Sequence, residues 1–176
     1  DYQTLTPGNM TRHLVANLLF AGHNKARVVE AVLKNRPYSQ TKIESVPDAL
    51  TSPAEAAELL RGYDLVVDAT ADGSVTCMLE TAAGFTGIRF VTTCLQNEGR
   101  SMRVDVVPPL DGAAPLAATV IRPSSTPEVF EAGCGLPVSP TPPYAVAEAA
   151  AIAVRHSVGL LAGTPESPAG EHRDLD

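Results

Sequence analysis

The sequence lacks several features that define whole classes of protein. It has no tryptophan, only 5% aromatic residues and three cysteines, Cys77, Cys94 and Cys134, none of which belongs to a C-x-x-C pair. An odd number of widely spaced cysteines argues against a disulfide framework and against a structural zinc site. We therefore expect a reducing, cytoplasmic setting for this chain.

Long hydrophobic runs and an excess of basic charge are also missing. No apolar run approaches the roughly 18 residues of a membrane helix, so we expect no membrane segment. Lys and Arg total 13 against 20 Asp and Glu, a formal net charge of −7. This balance argues against a broad surface for nucleic acid or anionic membrane, although it allows a local basic pocket for phosphates.

Two short motifs are absent as well. No G-x-S-x-G sequence occurs, so a Ser–His–Asp hydrolase of that type is not supported. No G-x-G-x-x-G loop occurs either. The chain begins at Asp1 rather than Met, without a targeting segment, and we expect it to be part of something longer.

The residues that are present alternate between helix and strand patterns. Residues 65–67 and 88–93 are near-continuous apolar or β-branched runs, typical of strands covered on both faces. Residues 74–83 between them have apolar positions at helical spacing, which predicts a parallel crossover unit. A helix over 25–33, with Ala26, Val29 and Leu33 on one face, and an exposed or edge strand over 41–46 precede them.

Further elements complete the predicted order. Ser52-Pro53-Ala54-Glu55 has the capping residues of a helix start. A strand over 102–107, antiparallel to its neighbour, follows the crossover unit. Together these patterns predict a Rossmann-like, doubly wound α/β fold with a mainly parallel sheet and antiparallel additions.

The last third of the chain changes in character. Residues 108–143 contain nine of the 15 prolines and little periodicity, which indicates a long irregular segment. Residues 144–162 predict an Ala-rich helix that ends at Gly163. We expect residues 164–176 to form a flexible tail.

The first 25 residues contain polar groups suited to a nucleotide. An acid such as Asp1, at the end of a presumed strand, is placed to accept hydrogen bonds from ribose hydroxyls. Asn9, Arg12 and Lys25 supply an amide, a planar fork of donors and a point charge, which suit phosphate oxygens. Taken singly, each is better explained as a helix cap, a surface charge or a lysine at a helix start.

The spacing of these residues resembles a known signature. Asp1, Asn9, Arg12 and Gly22-x-x-Lys25 fit the Asp-x-Asp-x5-Asn-x2-Arg … Gly-x-x-Lys pattern of ThiF/MoeB-type adenylyltransferases, the bacterial relatives of ubiquitin-activating enzymes. Residues 64–72, 87–108 and 133–163 are similar, in the same order, to later landmarks of that family. On this resemblance, residues 1–163 are the C-terminal portion of an adenylation domain, with 108–143 as its crossover loop.

The resemblance implies a role for each matching residue. Asp1 would bind the ribose of ATP, while Asn9, Arg12 and Lys25 would hold the triphosphate. Asn9 and Arg12 would also act in catalysis. Mg²⁺ would meet an acid of the 68–72 segment, where we favour Asp72 and place Asp68 second.

The implied substrate and partners follow from the family. ATP would be attacked at its α-phosphate by the C-terminal carboxylate of a ubiquitin-like or sulfur-carrier protein, and the enzyme would form a homodimer or heterodimer. Some members then transfer the acyl group to a cysteine. Cys134, flanked by glycines, is either that acceptor or a loop-packing residue.

The sequence departs from the family pattern in four places. Gln3 replaces the second Asp, the second acid of the 68–72 segment comes one residue late, and the zinc-binding Cys pairs are absent. The strand, glycine-rich loop and helix that precede Asp1 in the family, about 30 residues, are not in this chain. A non-catalytic scaffold subunit and an NAD-dependent oxidoreductase on a similar fold are therefore the alternatives.

The remaining cysteines and histidines have simpler explanations. We expect Cys77 and Cys94 to pack as small apolar residues. His13 and His23 flank the basic cluster and are expected at the surface or as caps, and His156 is expected to be structural.

Overall fold

A computed structural model describes residues 2–7, 17–37, 40–122, 129–130, 137–138 and 141–175. The chain divides into two compact units, one comprising Asp1–Ala49 with Pro127–Ser139 and the other Leu50–Thr126 with Pro140–Asp176. In chain order the elements are α1 (Lys25–Lys34), α2 (Pro53–Gly62), β1 (Val67–Asp68), α3 (Gly73–Thr86), β2 (Phe90–Gln96), β3 (Ser101–Val107), β4 (Val129–Phe130), β5 (Pro137–Val138), α4 (Pro143–Leu161) and β6 (Gly170–Asp174).

The first unit is built around α1, as predicted. Asn24 caps the helix, because its side-chain Oδ1 accepts a hydrogen bond of 3.1 Å from the Arg27 amide. The buried face differs from the prediction. Val28 packs with Leu5, whereas Val29 is 36% exposed.

The strand predicted over residues 41–46 is wrong. Residues 40–50 are all described, and none of them belongs to a strand. The alternation of polar and apolar residues is real, but a strand needs a neighbouring ladder as well as a pattern. Instead, the Ser45 hydroxyl donates a hydrogen bond to Glu30 of α1. The two-residue strands β4 and β5 pair with each other in antiparallel register.

The second unit contains a four-stranded sheet with the order β1-β2-β3-β6. β1 and β2 are parallel, with Val67 opposite Val91, and α3 forms the crossover between them. β2 with β3 and β3 with β6 are antiparallel. The strand-helix-strand unit and the antiparallel strand after it are those that the sequence predicted, and the Rossmann-like α/β class is confirmed.

Helices cover both faces of this sheet, because successive strand residues point to opposite sides. Phe90 packs in a core formed with α2 and α3. Its neighbour Val91 packs in a second core, with Met102 and Val104 of β3 and with α4. The apolar residues that alternate along β3 therefore form the face of the sheet that α4 covers.

The predicted helix ends are found in the structure. The Ser52 hydroxyl accepts a hydrogen bond of 3.2 Å from the Glu55 amide at the start of α2. α3 ends at Gly87, whose φ of +69° is the left-handed conformation that suits glycine. α4 ends just before Gly163, as the sequence predicted, and that glycine has a φ of +70°.

The prediction that residues 164–176 form a flexible tail is wrong for the described part of that segment. Gly170–Asp174 forms β6 and pairs with β3 from Asp105 to Ser101. The strand β6 contains few apolar residues. It is held in place by backbone pairing with β3 and by ion pairs of Glu171. A composition-based argument could not detect such contacts.

The helix α4 bears on the expectation that the chain has no membrane segment. By length and composition alone, α4 with its 19 residues is long and apolar enough to cross a membrane. One face of α4, with Ala149, Ile152 and Ala153, is buried against β2 and β3. Val154, Val158 and Leu161 elsewhere on the helix are exposed.

Candidate functional site

The two acids of the 68–72 segment occupy different environments. Asp68 ends β1 and is only 4% exposed. Its Oδ1 accepts hydrogen bonds from the amide and the hydroxyl of Thr70, at 3.0 and 2.7 Å, and its Oδ2 accepts one of 2.7 Å from Thr76. Both carboxylate oxygens therefore hold the turn and the start of α3 in place.

Asp72 lies past the end of the strand and is exposed. It is the N-cap of α3, where its Oδ1 accepts hydrogen bonds from the Ser74 amide at 2.9 Å and the Ser74 hydroxyl at 2.6 Å. These bonds, that of the hydroxyl first, lower the pKa of Asp72. The preceding residue, Ala71, has a left-handed φ of +54°, which is a costly conformation for a residue with a Cβ.

The two acids differ in how well they suit Mg²⁺, because their carboxylate oxygens are used differently within the fold. Mg²⁺ at a nucleotide is held by one or two carboxylates together with waters and phosphates. Asp72 suits this arrangement, since in the described contacts its cap uses only Oδ1 and its charge is exposed. Asp68 does not, because hydrogen bonds within the fold occupy both oxygens.

A cavity of about 470 Å³ opens beside Asp72 in the same unit. Its lining comes from the start of α3, from one face of β2 and β3, and from the chain after β3, and includes Gly73, Thr76, Thr92, Cys94, Arg103 and Asp105. Ligand sites in open α/β sheets lie at the carboxyl ends of parallel strands. This cavity lies next to the carboxyl end of β1, where the segment that begins at Ala71 leaves the strand.

Arg103 determines what this cavity can bind. Its Nε and one terminal nitrogen form a fork on Asp105, at 2.6 and 2.7 Å. The remaining N–H groups donate to the carbonyls of Leu116 and Ala117 and to the Thr119 hydroxyl. All five N–H donors of the guanidinium thus have acceptors within the chain. Among the described residues that line the cavity, none therefore has a guanidinium N–H group available for a phosphate, whereas the oxygen and sulfur acceptors there suit groups that donate hydrogen bonds.

Both described cysteines line this cavity. Cys77 is exposed on α3, so the expectation that it packs in the core is wrong. Its position in a helix was predicted correctly, but the sequence could not show that this turn borders a cavity. Cys94 is half-buried in β2, and burial, followed by the nearby charge of Asp105, raises the pKa of its thiol.

Lys25 lies in the other unit, at the first position of α1. Its Nζ donates a hydrogen bond of 2.6 Å to the side-chain Oε1 of Gln3, and its amide donates one of 2.9 Å to the Gln3 carbonyl. From the sequence, Gln3 was only a departure from a family pattern. The structure shows instead that the substituted residue contacts the predicted phosphate-binding lysine.

Several predicted site residues lie outside the described part of the chain. These are Asp1, Asn9, Arg12, His13 and Cys134. Their proposed roles stay predictions. His23 is described, and it is exposed with its ring edge-on to Phe20, as expected of a surface residue.

Other residues that hold this part of the fold together were not predicted from the sequence. Arg103 and Asp105 alternate along the predicted strand 102–107, which places them on one face, and that spacing was an available signal of their ion pair. Asn97 gave no such signal. Its side chain donates to the Val120 carbonyl at 3.3 Å and accepts from the Arg122 amide at 2.8 Å, across 23 and 25 residues of sequence.

His156, Glu166 and Glu171 form a separate cluster. Within the described ranges, it is the one group of three such residues whose ligand atoms lie close enough to share a metal ion, within 4.8 Å. Arg155, however, forms ion pairs with both glutamates. His156 is 2% exposed and its Nε2 lies 3.2 Å from Glu171, so the cluster joins α4 to β6 and His156 is structural, as expected.

Comparisons with known proteins agree with this fold. The model of the ThiF family matches residues 1–171. The crystal structure of selenomethionine PaaA superposes with a TM-score of 0.64 over 100% of this chain, at 12% sequence identity. The chain spans about half of that structure, 52% of its length, and at this identity the likeness shows the fold alone. A search of curated proteins finds no match.

Proposed function

The chain belongs to the ThiF family, and from that premise we propose that it takes part in ATP-dependent adenylyl transfer. The acceptor we propose is the C-terminal carboxylate of a ubiquitin-like or sulfur-carrier protein. In this reaction a carboxylate oxygen bonds to the α-phosphorus of ATP, the bond to the β-phosphate oxygen breaks, and pyrophosphate leaves. A dimeric assembly and a cytoplasmic setting stay predictions of the sequence.

One observation carries the proposal: Asp72 is held at the start of α3, just past a parallel strand and beside a cavity. The cap fixes the Asp72 backbone and lowers its pKa, so the carboxylate is charged at neutral pH. Mg²⁺, when bound there with ATP, would neutralise charge on the phosphates. On this proposal Lys25, Arg12 and Asn9 contact the triphosphate.

The cavity suits the protein substrate better than the nucleotide. Arg103 has no N–H group left for a phosphate, whereas the Thr92 hydroxyl and the Cys94 sulfur can accept hydrogen bonds. The backbone of an extended peptide brings N–H donors at regular intervals. We therefore propose that the C-terminal tail of the carrier protein enters this cavity, with its carboxylate toward the Asp72 end.

The proposal is tested by ATP–pyrophosphate exchange on the natural full-length protein with candidate carrier proteins. Asp72→Asn keeps a capping oxygen but removes the charge, and it is expected to lower exchange by about 100-fold. Lys25→Ala is expected to have a similar effect. The matched control is Lys34→Ala, which removes a lysine paired with Glu30 at the other end of α1 and should leave exchange unchanged.

The results also separate the alternatives. Exchange that requires the carrier's C-terminus and is lost in Asp72→Asn and Lys25→Ala supports adenylyl transfer. ATP binding without exchange for any carrier would favour a scaffold subunit, the alternative consistent with the structural use of Asp68. Tight NAD binding without ATP binding would contradict the proposal. Whether Cys134 then accepts the acyl group is tested by trapping a thiol-sensitive adduct in wild type and Cys134→Ala.

A further inference from the structure

A segment without regular secondary structure, residues 113–122, follows β3, and we call it the strap. All of its residues are described, and none belongs to a helix or a strand. Positions 113, 116 and 119 are partly buried, and the residues between them are exposed. Burial at every third position is typical of polyproline II, a conformation without internal hydrogen bonds. The φ of −59° and ψ of 150° at Ala113 fit that conformation. The strap therefore depends on contacts from outside itself.

Arg103 holds the middle of the strap. Its Nη1 donates hydrogen bonds to the Ala117 carbonyl at 2.5 Å and to the Thr119 hydroxyl at 3.2 Å, and its Nη2 donates one to the Leu116 carbonyl at 3.1 Å. The guanidinium is oriented by its fork on Asp105, and only 15% of the Arg103 side chain is exposed. Hydrogen bonds from a charged donor are stronger than neutral ones, so these three contacts are a firm anchor.

Asn97 holds the end of the strap from the turn between β2 and β3. Its side-chain amide donates to the Val120 carbonyl at 3.3 Å and accepts from the Arg122 amide at 2.8 Å, much as the backbone of a neighbouring strand would. It also donates to the Ser101 hydroxyl at 3.1 Å. The φ of Asn97 is +53°, a left-handed conformation that asparagine adopts more readily than most residues. The strap therefore has a second anchor.

The strap forms part of the wall of the cavity beside Asp72. Pro115 of the strap lines this cavity, and so does Arg103. Asn97 is not among the described residues that line it. A substituent of the cavity can therefore contact Arg103 directly, whereas Asn97 can affect the cavity only through the strap or the turn that carries it.

We propose that Arg103 is a positioning residue for the protein substrate: together with Asn97 it fixes the strap as one wall of the cavity, so that the site for the carrier's tail is formed before binding. This inference rests on the proposed function, in which that tail enters the cavity. A preformed wall lowers the entropy cost of binding, because no loop has to be ordered. Since the proposed triphosphate contacts lie elsewhere, loss of an anchor should weaken binding of the carrier and not of ATP.

Two substitutions release the strap from one anchor each. Arg103→Lys keeps the positive charge beside Asp105 but lacks the planar fork that reaches Asp105 and the strap carbonyls together. Asn97→Gly removes both strap contacts and suits the left-handed backbone of the turn. In pyrophosphate exchange on the natural full-length protein, each is expected to raise the KM for the carrier about tenfold and to change the KM for ATP less than about twofold.

Alkylation of Cys94 tests the wall without relying on exchange. Cys94 is half-buried in the lining of the cavity, whereas Cys77 lines it and is exposed. In both variants, a loosened strap should speed the reaction of Cys94 with iodoacetamide by about threefold relative to Cys77, which serves as the internal reference. Mass spectrometry of the modified peptides measures the ratio.

The controls are Arg61→Gln, which removes an exposed arginine of α2, and Gly163→Ala, which lowers stability at the end of α4 away from the strap. Both should keep the KM values and the alkylation ratio of wild type. A raised KM for the carrier in Arg103→Lys but not in Asn97→Gly would mean that Arg103 contacts the tail itself, and would overturn the inference. Equal increases in both KM values, or no change in either variant, would overturn it as well.

Failure of the proposed function gives a different result. If wild type shows no exchange with any carrier, adenylyl transfer to a carrier is contradicted, whatever the variants do. The alkylation ratio still decides whether the two anchors hold the wall, and an unchanged ratio in both variants would overturn the inference even then.

Discussion

The substitution Gly170→Ala tests how closely β6 packs against the sheet. Gly170 pairs with Asp105 of β3 and has a φ of +106°, a conformation that residues with a side chain rarely adopt. A Cβ built on its backbone would lie 2.0 Å from the Val104 carbonyl oxygen and 2.9 Å from the Asp105 Cα. Both are backbone atoms, so rotation of a side chain cannot relieve the overlap.

The expected loss of stability follows from two contributions. The left-handed backbone costs an alanine about 1–2 kcal/mol. To remove the overlap, the start of β6 must also move away from β3, which breaks the 3.1 Å bond from the Val106 amide to the Ala169 carbonyl and a neighbouring ladder bond. At about 1 kcal/mol for each hydrogen bond, we expect Gly170→Ala to lower the free energy of unfolding by about 3–4 kcal/mol.

Urea unfolding followed by circular dichroism measures this loss, with two other glycines as controls. Gly163→Ala, at a φ of +70° with no atom near the added Cβ, should cost about 1–2 kcal/mol from the backbone alone. Gly62→Ala, in open space within α2, should be neutral or stabilise by up to about 1 kcal/mol. If Gly170→Ala costs no more than Gly163→Ala, the close approach of β6 to β3 is refuted.

Three further predictions concern the site and its surroundings. Asp72→Ala should lower the free energy of unfolding by about 1 kcal/mol through loss of the α3 cap, whereas Asp72→Asn should cost much less in the same urea titration. Burial raises the pKa of Glu171, but hydrogen bonds from His156 and Arg173 and the charges of the arginines outweigh it, so the pKa is lowered overall. Glu171 therefore stabilises the fold above the ordinary glutamate pKa, and this stabilisation is lost as the pH falls through the lowered pKa. In thermal melts between pH 3 and 7, a Glu171→Gln variant should lack this contribution to the pH dependence. Cys77, exposed on α3, should react with iodoacetamide faster than Cys94, whose thiol is half-buried and has a raised pKa. Mass spectrometry of the modified peptides measures both rates, and equal rates would contradict the described environments.

Much of the second unit could be predicted from local patterns. The sequence shows three kinds of signal directly, because each acts on its immediate neighbours: the capping residue Ser52, the glycines that follow α3 and α4, and the apolar runs of β2 and β3. The predictions that were wrong involve a partner far away in the chain. Residues 41–46 alternate like a strand but have no ladder, and β6 has a ladder without an apolar pattern.

The candidate site divides in the same way. The sequence by itself determined the family and the alternation of helix and strand, and it singled out Lys25 and Asp72 as candidate site residues, because spacing and residue chemistry are local properties. Only the tertiary structure decided that Asp68 is consumed by hydrogen bonds, that Gln3 contacts Lys25, and that every donor of Arg103 is already satisfied. Gln3 and Lys25 are 22 residues apart, and the acceptors of Arg103 beyond Asp105 are 13 to 16 residues away, so no local pattern encodes these contacts. The partners of Asp68 are near in sequence, but they meet both of its oxygens only because the turn between β1 and α3 folds back on the carboxylate.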